Sequence, residues 1–171
     1  MIRDLFFDAI RFVVLIILQI LALNHIQFSG FVNPYPYILF ILLLPFQIHP
    51  SFLLLLSAAM GLCIDIFSLT PGMHTSAAVF LGFTRPYILQ FLAPHDGYEG
   101  LRFPGIRSLG FRWFLRYALM ATFLHHLVLF FVEAFEFFNF FHTLFRILLS
   151  TLFTVLIVIL AEYLISGSKR N

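Results

Sequence analysis

GLCIDIFSLTPGMH, residues 61–74, contains Asp65, the only charged residue between Arg11 and Arg85. A lone carboxylate in so long an apolar tract costs at least ~2.5 kcal/mol at the centre of a membrane helix, so it needs a partner or a task. On a helix, Ser57, Gly61, Asp65 and Ser68 recur at i, i+4, i+8 and i+11. They form one narrow stripe, small and polar, on an otherwise apolar cylinder. Small residues four apart admit a second helix at close range, and polar ones can bond across that contact. Thr70 and Pro71 read as an N-cap followed by proline at the first helical position, so a new helix is expected to begin there. The stretch is a helix end, a tight turn and a helix start, with an acid beside the turn.

The surroundings set the class. Residues 12–64 hold no Asp, Glu, Lys or Arg, and the chain is 61% hydrophobic and 11% charged, against roughly 25% charged in soluble domains. A spanning helix needs about 20 apolar residues, so this run alone accommodates two or three. The reading is an all-α, polytopic membrane protein forming one integral domain over residues 1–171, with no polar segment long enough for a soluble domain. The single Cys63 excludes an intramolecular disulfide and a cysteine metal cluster, and reads as a small packing residue.

Six spans are expected, at about residues 9–24, 37–48, 50–67, 71–92, 113–135 and 142–165. The first follows a charged N-terminus without a small-residue cleavage site and reads as an uncleaved helix. Residues 24–37 form a loop, with Phe31 and Tyr35 suited to the membrane interface. The second span is the weak one: a dozen residues containing Pro45, short for a crossing, so that five spans or six satisfy hydropathy. Arg85 lies far along the fourth span and is expected to snorkel to the nearer membrane face. Residues 93–112 are rich in glycine, proline and mixed charge, and read as a loop.

Cation placement orients the chain. With six spans, Arg3, Arg11, Arg102, Arg107, Arg112, Arg116, Lys169 and Arg170 share one side, with Arg85 nearby, and Arg146 alone faces the other. Positive charge collects on the cytoplasmic side, so both termini are expected there. These cations sit at membrane boundaries, where anionic lipid accounts for them without nucleic acid.

Other polar groups carry two readings each. Arg146 can pair with Asp65, or with Glu133 or Glu136 across the outer hairpin; a buried pair would specify helix arrangement more than add stability. Asp65 itself can instead be a solvated acid at a helix end. His125 and His126 precede Glu133 on one helix, but no HExxH or further ligand accompanies them, and structural histidines are the plainer reading. His74 suits a capping role in the turn. Glu162 lies near the cytoplasmic end, within reach of Arg112 or Arg116. The sequence contains no P-loop, no dinucleotide fingerprint and no trustworthy catalytic triad, so no cofactor is expected.

The pattern G-x-x-x-D-x-x-S-x-x-P-G-x-H, carried by Gly61, Asp65, Ser68, Pro71, Gly72 and His74, resembles the signature of the bacterial rod shape-determining protein MreD family. Length, helix content and motif placement agree with that family over nearly all 171 residues. The resemblance implies a six-helix bundle like the S components of energy-coupling-factor vitamin transporters. It implies a non-enzymatic scaffold of the cell-elongation complex in the bacterial inner membrane. Its partners would be the bitopic protein MreC, the MreB filament, and RodA with its class B penicillin-binding protein. Two alternatives stand beside it. One is a vitamin-binding S component, which should present several converging polar groups at its outer end, where this chain's loops are short. The other is a small enzyme or proton-coupled carrier in which Asp65 and His126 meet in a wet cavity.

Overall fold

The computed structural model describes residues 2–23, 32–134 and 140–168, with side chains over 6–23, 32–134 and 140–165. The loop residues Gly30 and Phe31, Glu136, and the tail cations Lys169 and Arg170 lie outside the described residues. The architecture is all-helical. Helix α1 covers Ile2–Leu18 and continues as a π-helical turn, Gln19–Leu23. A 3₁₀ turn, Pro36–Ile38, leads into the one-turn α2, Leu39–Leu42. Then come α3 (Pro50–Ser68), α4 (Met73–Phe91), the one-turn α5 (Ile106–Leu109), α6 (Phe111–Ala134) and α7 (Phe140–Ser168). Among the described residues four segments are long and apolar enough to cross a bilayer: Phe6–Leu23, Pro50–Ser68, Phe111–Ala134 and Phe140–Ile165. The chain is accordingly a multi-pass membrane protein. Helix α4 matches α3 in length, 19 residues each, but carries the buried Arg85 and more polar side chains.

The bundle is built by α3 packing on α4, α4 on α6, and α6 on α7. Helix α1 lies at the edge: of its described side chains only Leu15 and Gln19, four apart on one face, are buried. The remainder of that face-poor helix, from Phe6 to Leu21, is largely exposed apolar surface suited to lipid.

Residues 36–44 form the centre. All nine are buried, a pattern no amphipathic helix gives and one that places the segment inside the bundle on every side. Tyr35 lies with its ring 5.3 Å from that of His74, and the Leu44 carbonyl accepts from Arg85. His74 and Arg85 are eleven residues apart on α4, about 16 Å at 1.5 Å per residue. The short segment therefore runs alongside α4 over that distance, stretched beyond α-helical rise by its 3₁₀ turn. Irregular backbone at membrane depth is tolerated only where protein or a water-filled cavity surrounds it and satisfies its polar groups.

Side chains from four other helices do this. Gln19 Nε2 donates to the Pro34 carbonyl at 3.1 Å. The amides of Asn33 and Tyr35 donate to Ser150 Oγ and Thr154 Oγ1, each at 3.1 Å. At the far end the Tyr117 hydroxyl donates to the Leu42 carbonyl at 3.1 Å, while Arg85 reaches the carbonyls of Leu44 and Pro45 and the Tyr117 oxygen. Arg85 is 1% exposed, so it does not snorkel: its task is to satisfy the carbonyl end of a broken helix, and that end lies within the bundle.

The 93–110 loop closes this end. Phe46 N–H donates to the Arg102 carbonyl at 3.0 Å, and the Phe46 ring stacks on Tyr98 at 4.4 Å. Tyr98 donates to Leu89 O and Trp113 Nε1 to Leu92 O, tying the loop to the end of α4. Burial pushes the Tyr98 phenol above its ordinary range, so it remains a donor. Glu162 accepts from Ile106 N–H at 3.3 Å, which anchors α5 to α7.

Candidate functional site

Ser57, Gly61 and Asp65 lie on the face of α3 that meets α4, and all three are buried. Gly61 is the point of closest approach. A Cβ built there would stand 2.5 Å from Thr75 Cα and 2.7 Å from the His74 carbonyl oxygen, both backbone atoms that cannot yield cheaply. Two turns along α4 the relation reverses: a Cβ on Gly82 would stand 2.5 Å from Ser57 Oγ. Ser57 turns that hydroxyl inward, donating to the Leu53 carbonyl at 2.8 Å. Small residues on both helices thus bring the backbones together in antiparallel sense.

That approach puts Asp65 at the N-terminus of α4. Its Oδ2 accepts from the Thr75 amide at 2.9 Å and the Thr75 hydroxyl at 2.6 Å. Its Oδ1 accepts from the His74 amide at 3.0 Å and the Thr70 hydroxyl at 2.8 Å, and lies 3.0 Å from His74 Nδ1. An ionised carboxylate only accepts, so the proton of that last contact belongs on Nδ1. The first amides of a helix have no intrahelical acceptor, and the helix dipole favours an anion there. Asp65 therefore caps α4 from the neighbouring helix and clasps the two together.

The turn differs from expectation in one respect. Thr70 and Pro71 do not start the helix: α4 begins at Met73 with Gly72, φ 80°, as its N-cap. With the start moved to Gly72, the second and third amides of the helix are those of His74 and Thr75; Asp65 takes both, and Thr70 bonds the carboxylate instead of a helix amide. Helix α3 ends on Leu69 in the left-handed conformation, φ 55°, with its side chain 90% exposed. Pro71 and Gly72 are exposed, and Ser68 and Met73 line the cavity described next.

Below the clasp lies a polar layer. His125 Nε2 is 2.7 Å from the Tyr37 hydroxyl; His126 Nδ1 is 2.7 Å from the Thr122 carbonyl and its Nε2 3.3 Å from Thr154 Oγ1. Both histidines are fully buried. Above it, a cavity of about 480 Å³ opens at the same end of the bundle. Its lining includes Asn33, Tyr35, Thr70, His74, Glu133 and Arg146. Of the pairings open to Arg146, the structure shows the one with Glu133, at 3.0 Å, with the guanidinium 4.4 Å above the Phe130 ring. Asp65 is instead engaged by Thr70, His74 and Thr75. Among the described residues no three His, Cys, Asp or Glu side chains converge as metal ligands.

Sequence reading missed Thr75, which supplies two of the carboxylate's donors; a hydroxyl directly after the motif histidine was the signal. It also missed Gln19, Ser150 and Thr154, whose role becomes visible only with the broken segment they serve. No family model matches the chain, and neither the curated proteins nor the solved structures compared with it yield a match.

Proposed function

We propose that this chain is a non-enzymatic membrane scaffold of the MreD type, holding the bacterial cell-elongation complex together beside an MreC-like bitopic partner. The observation that carries the proposal is the state of Asp65. Five contacts from three residues occupy both carboxylate oxygens. A group so fully used in joining two helices has no lone pair directed at a substrate, and its work is architectural. The motif that resembles the family's signature is thus, in this chain, the part that fixes the α3–α4 hairpin. In this reading the protein crosses the inner membrane six times with both termini cytoplasmic. The 33–46 segment, buried throughout 36–44, is the second crossing, and RodA, its penicillin-binding partner and MreB join through the larger complex.

Complementation in the host tests this. Depletion of the chain is expected to round rod-shaped cells; Asp65→Asn should restore shape in part and Asp65→Leu should not. Equal and complete loss with both, while the protein remains folded and abundant, would point to a chemical role for the carboxylate and end the scaffold reading.

One observation favours a second reading. Polar groups do converge at the outer end, around the 480 Å³ cavity, although the outer loops are short. A small-ligand-binding subunit of the vitamin-transporter type would use such a cavity. Saturable thermal stabilisation of the purified chain by a vitamin, abolished by Arg146→Gln, would favour it over the scaffold.

A further inference from the structure

At the opposite end of the bundle, between α1 and α3, lies a cavity of about 800 Å³. Phe12, Val13, Phe40, Phe52, Leu56 and Ala59 give it apolar walls. Gln47, Asp8 and Arg102 stand at its mouth. A second cavity of about 310 Å³ adjoins it, sharing Asp8 and the 100–102 backbone, and adds Arg11, Arg107 and Glu162. Among the described residues that line the pair, three arginines stand against two acids. Arg11 lies 3.1 Å from Asp8, the Arg102 guanidinium lies over the Phe103 ring, and Arg102 and Arg107 are exposed at the rim.

We infer that these joined cavities hold one phospholipid with an anionic headgroup, its phosphate between Arg102 and Arg107 and an acyl chain between α1 and α3. Length separates this occupant from a partner helix. The α3 wall runs from Phe52 to Ala59, seven residues or about 10 Å, a third of the ~30 Å hydrocarbon core. A docked helix packs along a seam, with small residues repeated down its length; here the α3 wall covers two turns and offers one small residue, Ala59. An acyl chain entering from the headgroup level lines that depth with its first methylenes and, being flexible, runs on into the bilayer. Charge selects the headgroup: guanidinium forks match phosphate oxygens, and basic pockets between membrane helices favour anionic lipid. The 45–49 turn contributes both an apolar wall, Ile48, and a polar mouth residue, Gln47, so the boundary between the two chemistries lies where a lipid's glycerol region would sit. The inference rests on the membrane reading alone and is independent of the scaffold proposal.

The test uses the purified full chain with equal amounts of phosphatidylglycerol and phosphatidylcholine of identical acyl composition, read by native mass spectrometry. One phosphatidylglycerol per chain should be retained over phosphatidylcholine by about thirtyfold, the scale that a pair of juxtamembrane arginines sets. The double variant Arg102→Gln/Arg107→Gln should bring that ratio close to one, and Ala59→Phe, which adds bulk to the apolar wall, should lower retention of both lipids. A phosphatidylglycerol with a photoactivatable acyl chain should label Phe12, Phe52 or Leu56 in the unaltered protein, so the inference remains testable even where a variant fails to fold. Equal retention of the two lipids, selectivity unchanged in the arginine variant, or labelling no denser there than on the exposed Leu152–Leu156 face of α7 would overturn it. So would a photo-crosslinker at position 56 that captures a second polypeptide instead of lipid.

Discussion

Replacing Asp65 by leucine removes both carboxylate acceptors at the start of α4 and puts a bulkier apolar side chain in their place. The amides of His74 and Thr75 then point at hydrocarbon. A buried donor left without a partner costs about 1–3 kcal/mol, so the two together cost about 2–6 kcal/mol. The hydroxyls of Thr70 and Thr75 can rotate toward other acceptors and add less. Asparagine behaves differently. Its one carbonyl oxygen can serve one side of the clasp, but its amide group faces donors on the other, stranding one backbone N–H at about 1–3 kcal/mol. Thermal unfolding of the purified chain in detergent should therefore rank the wild type above Asp65→Asn and Asp65→Asn above Asp65→Leu. Amide exchange at positions 74 and 75 should rise in the same order. Unfolding of Asp65→Leu at the wild-type temperature would refute the clasp, as would asparagine and leucine variants that are equally unstable.

Three further outcomes follow from the same packing. Gly61→Ala should destabilise by about 1–3 kcal/mol through overlap with α4 backbone, and Gly82→Ala should do likewise unless Ser57→Gly removes the opposing side chain; thermal melts of the single and double variants would show the coupling, and additive losses would contradict the contact. Arg85→Lys should lose at least one of the contacts to Tyr117, Leu44 and Pro45, because an ammonium lacks the guanidinium's fork; lower thermal stability is expected, and none would mean that the segment's carbonyls are satisfied another way. In a Cys63-free protein, Glu99→Cys should react with impermeant thiol reagents in inverted vesicles and remain protected in intact cells; labelling from outside would reverse the topology.

The helical membrane class was legible from composition, and the 61–74 turn from its residues. The stripe of Ser57, Gly61 and Asp65 could be read because helical periodicity alone places three such residues on one face. Asp65's true partners were harder to foresee. Sequence distance gives depth along a helix but not which backbone end arrives beside it, so Thr70 looked like the cap that Asp65 turned out to supply from α3. Arg85 shows the same limit from another side. Its position near a helix end suggested snorkelling, yet the direction of its side chain depends on where the 36–44 segment ends. That segment was visible as a short apolar stretch broken by Pro45. Its full burial was not, since Gln19, Ser150, Thr154 and Tyr117 lie on three helices and converge only in the folded bundle.

Co-purification of the tagged full-length chain from its own membranes tests the scaffold most directly. Capture is expected of a protein with a single N-terminal span, a coiled coil and an outer β-domain, retained by the wild type, weakened with Asp65→Asn and lost with Asp65→Leu. A folded, abundant chain that captures no such partner would contradict it.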